Sequence, residues 1–222
     1  MVTADVYVSE LEVKNQESFR DLVSTRYLPG LAGESLSVAD ALRWECKMVI
    51  ESIESAALWL ADTESLNLKL ACASICGDRA RHFRLLTERL AGLGLSPGSY
   101  DPRQGGYSRL FGFLRSLQTA EERAAAGFLT LAGMSAVRLT GLASYCDDKG
   151  DPESARLLRE SVLPEEESRV DVGRELLIAL VTTDETQARA RRASYRVIEL
   201  LTDLYDPALF RKLSGRSAGK KQ

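Results

Sequence analysis

The sequence predicts an all-α protein. Apolar residues recur every three to four positions through most of the chain, and no segment shows the alternation of a half-buried strand. Residues typical of turns divide the chain into segments that are each long enough for a helix. With 222 residues, 45% of them apolar and 27% charged, the chain is long enough to fold around one buried core.

The first helix pair is predicted over 37–62 and 64–93 by the spacing of its apolar residues. Ser37 begins the first helix as a capping residue, with Asp40 three positions later as its capping-box partner. A loop rich in Gly, Pro and Tyr follows the pair, over 96–106. The turn inside the pair is very short, so the two helices are expected to be antiparallel neighbours.

The second helix pair is predicted over 107–146 and 152–181. Its first segment breaks near Gln118. In its second segment Pro152 occupies the first turn, where proline is favoured. Pro164 lies further inside, where a proline removes a helix hydrogen bond, so a kink is expected there.

Three further regions surround these pairs. A fifth helix is predicted over 185–205 and is expected to pack outside the bundle, which as a domain spans 37–205. Residues 1–36 form an N-terminal extension of mixed pattern, with a short helix at 19–27 and an extended stretch at Val6, Val8, Leu11 and Val13. The C-terminal tail, 206–222, is basic and rich in Ser and Gly, which is more typical of partial disorder than of a nucleic-acid-binding arm.

Composition narrows the function classes. A net charge of −3 does not favour nucleic-acid binding, and the absence of a leader pattern or a membrane-length apolar run predicts a cytoplasmic protein without membrane contact. The single histidine excludes a zinc site built from several imidazoles. The four cysteines lie in apolar helical surroundings and are predicted to be buried thiols: Cys46, Cys72, Cys76 and Cys146.

Two short segments carry the chemistry of the chain. The first is Asp78-Arg79-Ala80-Arg81-His82 and the second is Glu165-Glu166-Glu167-Ser168-Arg169. Arg79 and Glu166 are 87 residues apart (166 − 79), and His82 and Arg169 have the same separation (169 − 82). The two helix pairs therefore look like a weak internal repeat, with one charged segment on the second helix of each pair.

This pattern resembles the ferritin-like superfamily over about 37–181, and the resemblance implies a four-helix bundle with one long crossover. In the iron proteins of that superfamily two helices each carry Glu-x-x-His, and the other two each carry a Glu. Here Arg79 stands in place of a carboxylate and Arg169 in place of a histidine. The resemblance also implies that the acid before each motif orients the other half, which pairs Glu165 with His82 and Asp78 with Arg169.

In an antiparallel helix pair, residues equally far from the connecting turn lie opposite each other. Counting from the turn of the first helix pair places Glu45 opposite Arg79 and His82. Counting from the turn of the second pair finds no carboxylate opposite Glu166. The inward set is therefore Glu45, Arg79, His82, Glu166 and Arg169. Two guanidiniums, which do not deprotonate, would repel a divalent cation by several kcal/mol even at an effective dielectric of about 20, so no metal and no other cofactor is predicted.

These residues predict a metal-independent ferritin-like enzyme that holds a small anionic substrate in the bundle core. Substrate binding is assigned to Arg79 and Arg169 with Asp78 and Glu165, and the catalytic roles are assigned to His82, Glu45 and Glu166. Acid/base chemistry without redox, such as elimination or cyclisation, suits these groups. A composition rich in Ala, Leu and Arg suggests a bacterial source, where such a protein would fit specialised (natural-product) metabolism.

Other interpretations remain open. The chain is equally considered as a non-catalytic partner of a related helical protein, in a homodimer or a heterodimer, which an exposed apolar face would mark. An atypical metal-dependent oxidase is a third, with one metal held by Glu45, His82 and Glu166. In purely structural terms, Arg79 is a buried ion-pair residue and His82 a core histidine satisfied by an acid.

Overall fold

The computed structural model describes residues 2–33, 36–96 and 98–205, and within these ranges the chain is helical with no strand, which confirms the predicted all-α class. Short π-helical segments (π1–π3) interrupt the α-helices (α1–α10). In order, these elements are α1 Ala4–Leu22, π1 Val23–Tyr27, α2 Leu28–Gly33, α3 Val38–Asp62, α4 Leu66–Gly92, α5 Arg109–Ser116, α6 Ala120–Arg123, π2 Ala124–Leu131, α7 Ala132–Asp148, α8 Pro152–Leu157, π3 Leu158–Val162, α9 Leu163–Leu180 and α10 Asp184–Leu204.

The first helix pair, α3 and α4, forms as the sequence predicts. The Ser37 side chain accepts from the backbone of Asp40, and the Asp40 carboxylate accepts from the backbone of Ser37, which completes the capping box. Ser65 caps α4 in the same manner, by accepting from the backbone N–H of Leu68. Only three residues separate the two helices, so α3 and α4 are antiparallel and pack along their full lengths.

The second helix pair is continuous through its π segments. Its first helix runs from Ala120 to Asp148, after the predicted break, where Thr119 caps the new helix with Glu122 as capping-box partner. Its second helix covers 152–180, and π3 lies within a turn of Pro164. The irregularity expected from the proline therefore takes the form of a widened π turn, since proline cannot donate to the preceding turn.

The two pairs are joined face to face. Arg79 of α4 contacts Glu166 of α9, while Arg89, near the C-terminal end of α4, contacts Asp151 at the start of α8. These contacts make α4 antiparallel to the 152–180 helix. Trp59 near the end of α3 lies on Gly127 of π2, and Glu45 near the start of α3 pairs with Arg138 of α7, so these helices are also antiparallel.

Glycine permits the closest helix approach in the second pair. A Cβ atom added at Gly173 would lie 2.7 Å from the backbone carbonyl carbon of Phe128 and 2.8 Å from the backbone nitrogen of Leu129. The backbone of α9 therefore rests directly on the backbone of π2. No larger residue fits there without moving one helix.

The N-terminal region differs from the prediction. Residues 4–22 form one helix rather than an extended stretch, and the helix buries Tyr7, Val8 and Leu11. Val6 and Val13 are exposed, so the apolar residues that suggested a strand lie on two different faces of a helix. The Tyr7 hydroxyl donates to the carbonyl of Gln187 at 2.7 Å, which anchors α1 to α10.

A closed ring of side-chain hydrogen bonds fixes the position of α1 in the core. The Asn15 amide donates to Thr130 Oγ1 at 3.1 Å, Thr130 donates to Ser194 Oγ at 2.8 Å, and Ser194 donates to Asn15 Oδ1 at 2.9 Å. All three residues are buried. Because each member is satisfied, the ring holds α1, π2 and α10 in one register.

The C-terminal helix, Asp184–Leu204, lies within one residue of the prediction at each end and packs on α6, π2 and α1. The predicted tail at 206–222 lies outside the described residues. Within the described ranges, Ala120–Asp148 is long and apolar enough to cross a membrane, although no such run was predicted, and 72% of its most apolar window is buried inside the protein. That burial is typical of a core helix.

Candidate functional site

The predicted charged residues meet between α4 and α9. The Glu166 carboxylate receives two contacts from the Arg79 guanidinium, Nη1 to Oε1 at 2.5 Å and Nη2 to Oε2 at 3.0 Å. Arg169 Nη1 donates to Glu166 Oε2 at 2.7 Å. All three residues are buried, and Glu166 has no exposed surface. One carboxylate therefore balances two guanidiniums, and this charged triad of Arg79, Glu166 and Arg169 has a net charge of +1.

The triad is charged at neutral pH. Burial alone would raise the pKa of Glu166, but Arg79 and Arg169 outweigh burial, so its pKa lies below the usual range. Burial lowers the pKa of Arg79 to about 10, with Glu166 opposing the shift. Both groups therefore stay ionised near pH 7, and each needs the other in the interior.

The contacts that the family resemblance implies are present around the triad. His82 Nε2 lies 2.6 Å from Glu165 Oε2, and Arg169 Nη2 lies 3.8 Å from Asp78 Oδ2. Arg81 also pairs with Glu165 from the solvent side. Each half of the chain thus supplies the acid that faces the cation or imidazole of the other half.

His82 is completely buried and unprotonated at neutral pH. Burial, followed by the charge of Arg79, lowers its pKa to about 4. Its contact with Glu165 lacks hydrogen-bond geometry, and neither ring nitrogen has a hydrogen-bond partner among the described residues. A neutral, enclosed imidazole is a poor proton donor at pH 7.

Glu45 does not join this group, contrary to the prediction. It is buried, but its ion pair is with Arg138 of α7. The Arg138 guanidinium also lies over the Trp44 ring at 4.9 Å and the Tyr27 ring at 5.7 Å, which are cation–π distances. Counting from the turn placed Glu45 correctly at an inward position, but its side chain pairs with α7 instead of α4.

Arg138 is a buried charged residue that the sequence reasoning missed. Met134, Leu142 and Tyr145 share its helical stripe and are buried, as Arg138 is. A basic residue on an otherwise apolar stripe is a sequence signal for a buried charge. A search along the stripe through residue 138 would have found it.

A solvent-accessible cavity of about 300 Å³ lies beside the triad. Its polar end holds Arg169 and Asp78 with Glu165, and its walls come from α4, π2 and α9. The remaining lining residues are Ala71, Ser74, Ile75, Phe128, Ser168 and Val172. Arg169 is only 5% exposed, and its Nη2 donates no hydrogen bond within the described part of the chain. This unsatisfied cationic donor at a cavity wall is unusual, because a buried guanidinium normally uses its donors.

The cavity divides the predicted site residues into two groups. Arg169, Asp78 and Glu165, which were predicted to bind substrate, line it. Arg79, His82 and Glu166 are packed behind this wall and do not line the cavity, and Glu45 lies at the α3–α7 contact. A molecule in the cavity would therefore meet three of the four predicted binding residues, but neither Arg79 nor any of the predicted catalytic residues.

The residues present do not fit a di-iron centre. The positions that would carry one motif carboxylate and one motif imidazole hold Arg79 and Arg169, which are cations. Both guanidiniums bind Glu166, the carboxylate that would be left for a metal. Within residues 2–33, 36–96 and 98–205, no group of three or more His, Cys, Asp or Glu side chains is placed to hold a metal ion.

The cysteines are not placed for nucleophilic chemistry. Burial raises the pKa of Cys46, Cys72 and Cys146 to about 12, so these thiols stay protonated near pH 7. Cys76 is partly exposed, and burial raises the pKa of its thiol as well. All four are free thiols, and three of them are buried as predicted, whereas Cys76 is only partly buried.

Comparison with known proteins gives no relative: the chain matches no protein family, no curated protein and no solved structure.

Proposed function

We propose that this protein is a ferritin-like helical protein in which salt bridges occupy the position of a metal centre, and that its cavity binds a small organic anion. The observation that carries the proposal is Arg169 Nη2, a buried guanidinium donor that lies 3.8 Å from Asp78 and has no hydrogen-bond partner among the described residues, in a side chain that lines an open cavity. A carboxylate or phosphate supplies the acceptor that such a donor lacks.

The topology supports the ferritin-like part of the proposal. Both helix pairs are antiparallel hairpins, and α3 is antiparallel to α7 while α4 is antiparallel to α9. Such an arrangement requires the connection between the pairs to cross the length of the molecule. A bundle with one long crossover is the connectivity of ferritin-like folds. The charged segments face each other across α4 and α9, as the family motifs would.

The charge around Arg169 supports the anion. The charged triad has a net charge of +1, Glu165 is already paired with Arg81, and Asp78 lies 3.8 Å from Arg169 Nη2, beyond hydrogen-bond range. A negative group closer to Arg169 Nη2 would supply the hydrogen-bond acceptor that Asp78 does not. Because Arg169 is held by Glu166, it is fixed in position before the anion arrives, and little side-chain freedom is lost on binding.

We propose further that bound molecules undergo proton transfer without redox chemistry. The reacting group would be Glu165, the cavity carboxylate that also contacts His82. His82, which packs against Glu165 without a hydrogen bond, would limit the positions of that carboxylate rather than exchange protons itself. Glu165 as base and Arg169 as the stabiliser of developing negative charge would suit an elimination or cyclisation.

The first experiment is a binding titration by calorimetry with 4-methylpentanoate, a small carboxylate with an apolar tail. We expect saturable binding to the wild-type protein and none to Arg169→Met. The matched control is Arg84→Met, which removes an exposed arginine from α4 outside the cavity and should bind as the wild type does. Equal binding by the wild type and Arg169→Met would contradict the assigned role of Arg169.

A second candidate function is that of a non-catalytic partner subunit, and a surface patch favours it. Leu58 of α3 and Leu66 and Leu70 of α4 are 46%, 66% and 62% exposed. Leu66 and Leu70 are four residues apart and therefore lie on one face of the helix. Exposed leucines on the first helix pair are the feature expected of a subunit that docks on another helical protein. An atypical oxidase is a third candidate, and metal analysis of protein purified without chelators tests it.

A further inference from the structure

We infer that the ligand of the cavity is a zwitterion, an α-amino acid with a branched aliphatic side chain. The inference rests on the proposed anion-binding function and adds to it a second charged group and an apolar group. Three features of the cavity wall lead to it: a guanidinium donor without a hydrogen bond among the described residues, a carboxylate that contacts it only at 3.8 Å, and an apolar end.

The carboxylate is Asp78. Its Oδ2 lies 3.8 Å from Arg169 Nη2, beyond hydrogen-bond range, and accepts a hydrogen bond from Ser74 at 3.4 Å. Glu165, the other carboxylate of the cavity, is paired closely with Arg81. Asp78 is therefore the carboxylate of the cavity whose contact with a cation, Arg169, is a long one without a hydrogen bond, and its side chain is 38% exposed.

A simple anion satisfies only part of this wall. Its charge would meet Arg169, but Asp78 and Glu165 would repel it from the same side of the cavity. A molecule with a carboxylate and an ammonium group on one carbon atom meets both charges. The carboxylate would accept from Arg169 Nη2, and the ammonium would donate to Asp78, next to it.

The rest of the cavity selects an apolar substituent. Ala71, Ile75, Phe128 and Val172 line it, without a further charged side chain. The volume of about 300 Å³ is at the lower end of small-molecule sites and suits a single amino acid better than a peptide. A branched aliphatic side chain would bury its carbons against these residues.

The test is calorimetric titration of the full-length protein with three probes that share one skeleton: L-leucine, 4-methylpentanoate, which lacks the amino group, and 3-methylbutylamine, which lacks the carboxylate. We expect L-leucine to bind at least about tenfold more tightly than 4-methylpentanoate, the range of one charge-assisted contact, and the amine not to bind. In Asp78→Asn, L-leucine should lose this advantage while 4-methylpentanoate still binds. Asp171→Asn, an exposed position on α9 away from the cavity, is the matched control.

The outcomes distinguish the zwitterionic ligand from the anion-binding function on which it rests. Equal affinities for L-leucine and 4-methylpentanoate would overturn the zwitterion and leave the anion-binding function standing. An unchanged preference for L-leucine in Asp78→Asn would also overturn it. Binding of neither carboxylate would overturn the proposed function itself, and so would binding of the amine as tight as that of L-leucine.

Discussion

At the scale of single residues, the unequal numbers of cations and anions in the core are the main feature. Glu166 is shared by two guanidiniums and is the carboxylate that accepts hydrogen bonds from both, whereas Asp78 reaches Arg169 only at 3.8 Å. Loss of Glu166 therefore leaves two buried cations without a hydrogen-bonded carboxylate, and loss of one arginine leaves a matched pair. The structure of the triad makes these substitutions very different in cost, although each removes one charge.

We expect Glu166→Gln to lower the free energy of unfolding by about 3–5 kcal/mol, the range for breaking a buried ion pair. Arg79→Met should change it by less than about 1 kcal/mol, because Glu166 keeps its contact with Arg169 and methionine fills part of the space. Urea denaturation of both variants measures the difference. Equal costs for the two variants would show that Glu166 is not the centre of the triad.

His82 gives a second prediction at this scale, because it is the only histidine. Its native pKa is lowered to about 4, while an unfolded histidine has a pKa of about 6.5. Between these values the unfolded chain binds the proton and the folded chain does not. The free energy of unfolding should therefore decrease as the pH falls from 6.5 to 4, by about 3 kcal/mol from this group.

Proton NMR of the tag-free protein should show one imidazole signal that stays in its neutral position down to about pH 5, since the midpoint lies near 4. In His82→Gln the part of the stability loss that belongs to His82 should be absent. An imidazole that titrates at its ordinary pKa would mean that His82 is not enclosed in the folded protein.

Sequence reasoning worked at this scale where a motif named the residue and failed where only position was used. The two charged segments identified Arg79, His82, Glu166 and Arg169, which do meet. Glu45 was placed by counting from a turn. Counting gives the level of a residue along a helix. Its partner depends also on which neighbouring helix the side chain faces, that is, on how the helix is rotated about its own axis, and counting does not give this rotation.

At the scale of elements, the helices were predictable because their ends carry strong local signals. The Ser37–Asp40 capping box and the break before Ala120 are present at the predicted positions. The N-terminal helix also begins at a capping residue, since the Thr3 side chain accepts from the backbone N–H of Val6. Its exposed valines at 6 and 13 obscure the buried face, so the apolar pattern did not indicate a helix there.

Packing between α9 and π2 gives the prediction for this scale. Gly173→Ala should lower the free energy of unfolding by about 1–3 kcal/mol, because the new methyl group meets the backbone of Phe128 and one helix must shift. The matched control is Gly77→Ala on α4, where a Cβ meets nothing within 4 Å. That change should stabilise by about 0.5–1 kcal/mol, since alanine favours a helix. Thermal or urea denaturation compares the two. A neutral Gly173→Ala would contradict the close approach.

At the scale of the whole molecule, the two helix pairs share one core, but the α3–α4 hairpin keeps an apolar outer surface. Most large apolar residues of the described chain are buried, but this hairpin exposes three leucines, Leu58, Leu66 and Leu70. Helical periodicity identified the buried stripe of each helix. It could not distinguish an additional apolar residue on the outer face from one in the core, so the patch became visible only in three dimensions.

We expect the patch to be covered in solution. Light scattering after size exclusion should show a species larger than a monomer of 24.4 kDa, and Leu66→Glu with Leu70→Glu should shift it to the monomer without loss of helix content. Glu88→Gln, an exposed change on the same helix away from these leucines, is the control. If the wild-type protein is a monomer at high concentration, self-association through these leucines is contradicted, and the patch would be a surface for a different protein.

The central position of Glu166 also restricts the order in which such a core can change over generations. An arginine of the charged triad can be exchanged first, since the remaining pair stays neutral, but the carboxylate cannot be lost before an arginine. Any single-step mutational path that replaces all three residues must therefore exchange an arginine before Glu166 is lost. Chains on such a path would share the carboxylate and differ in the arginines.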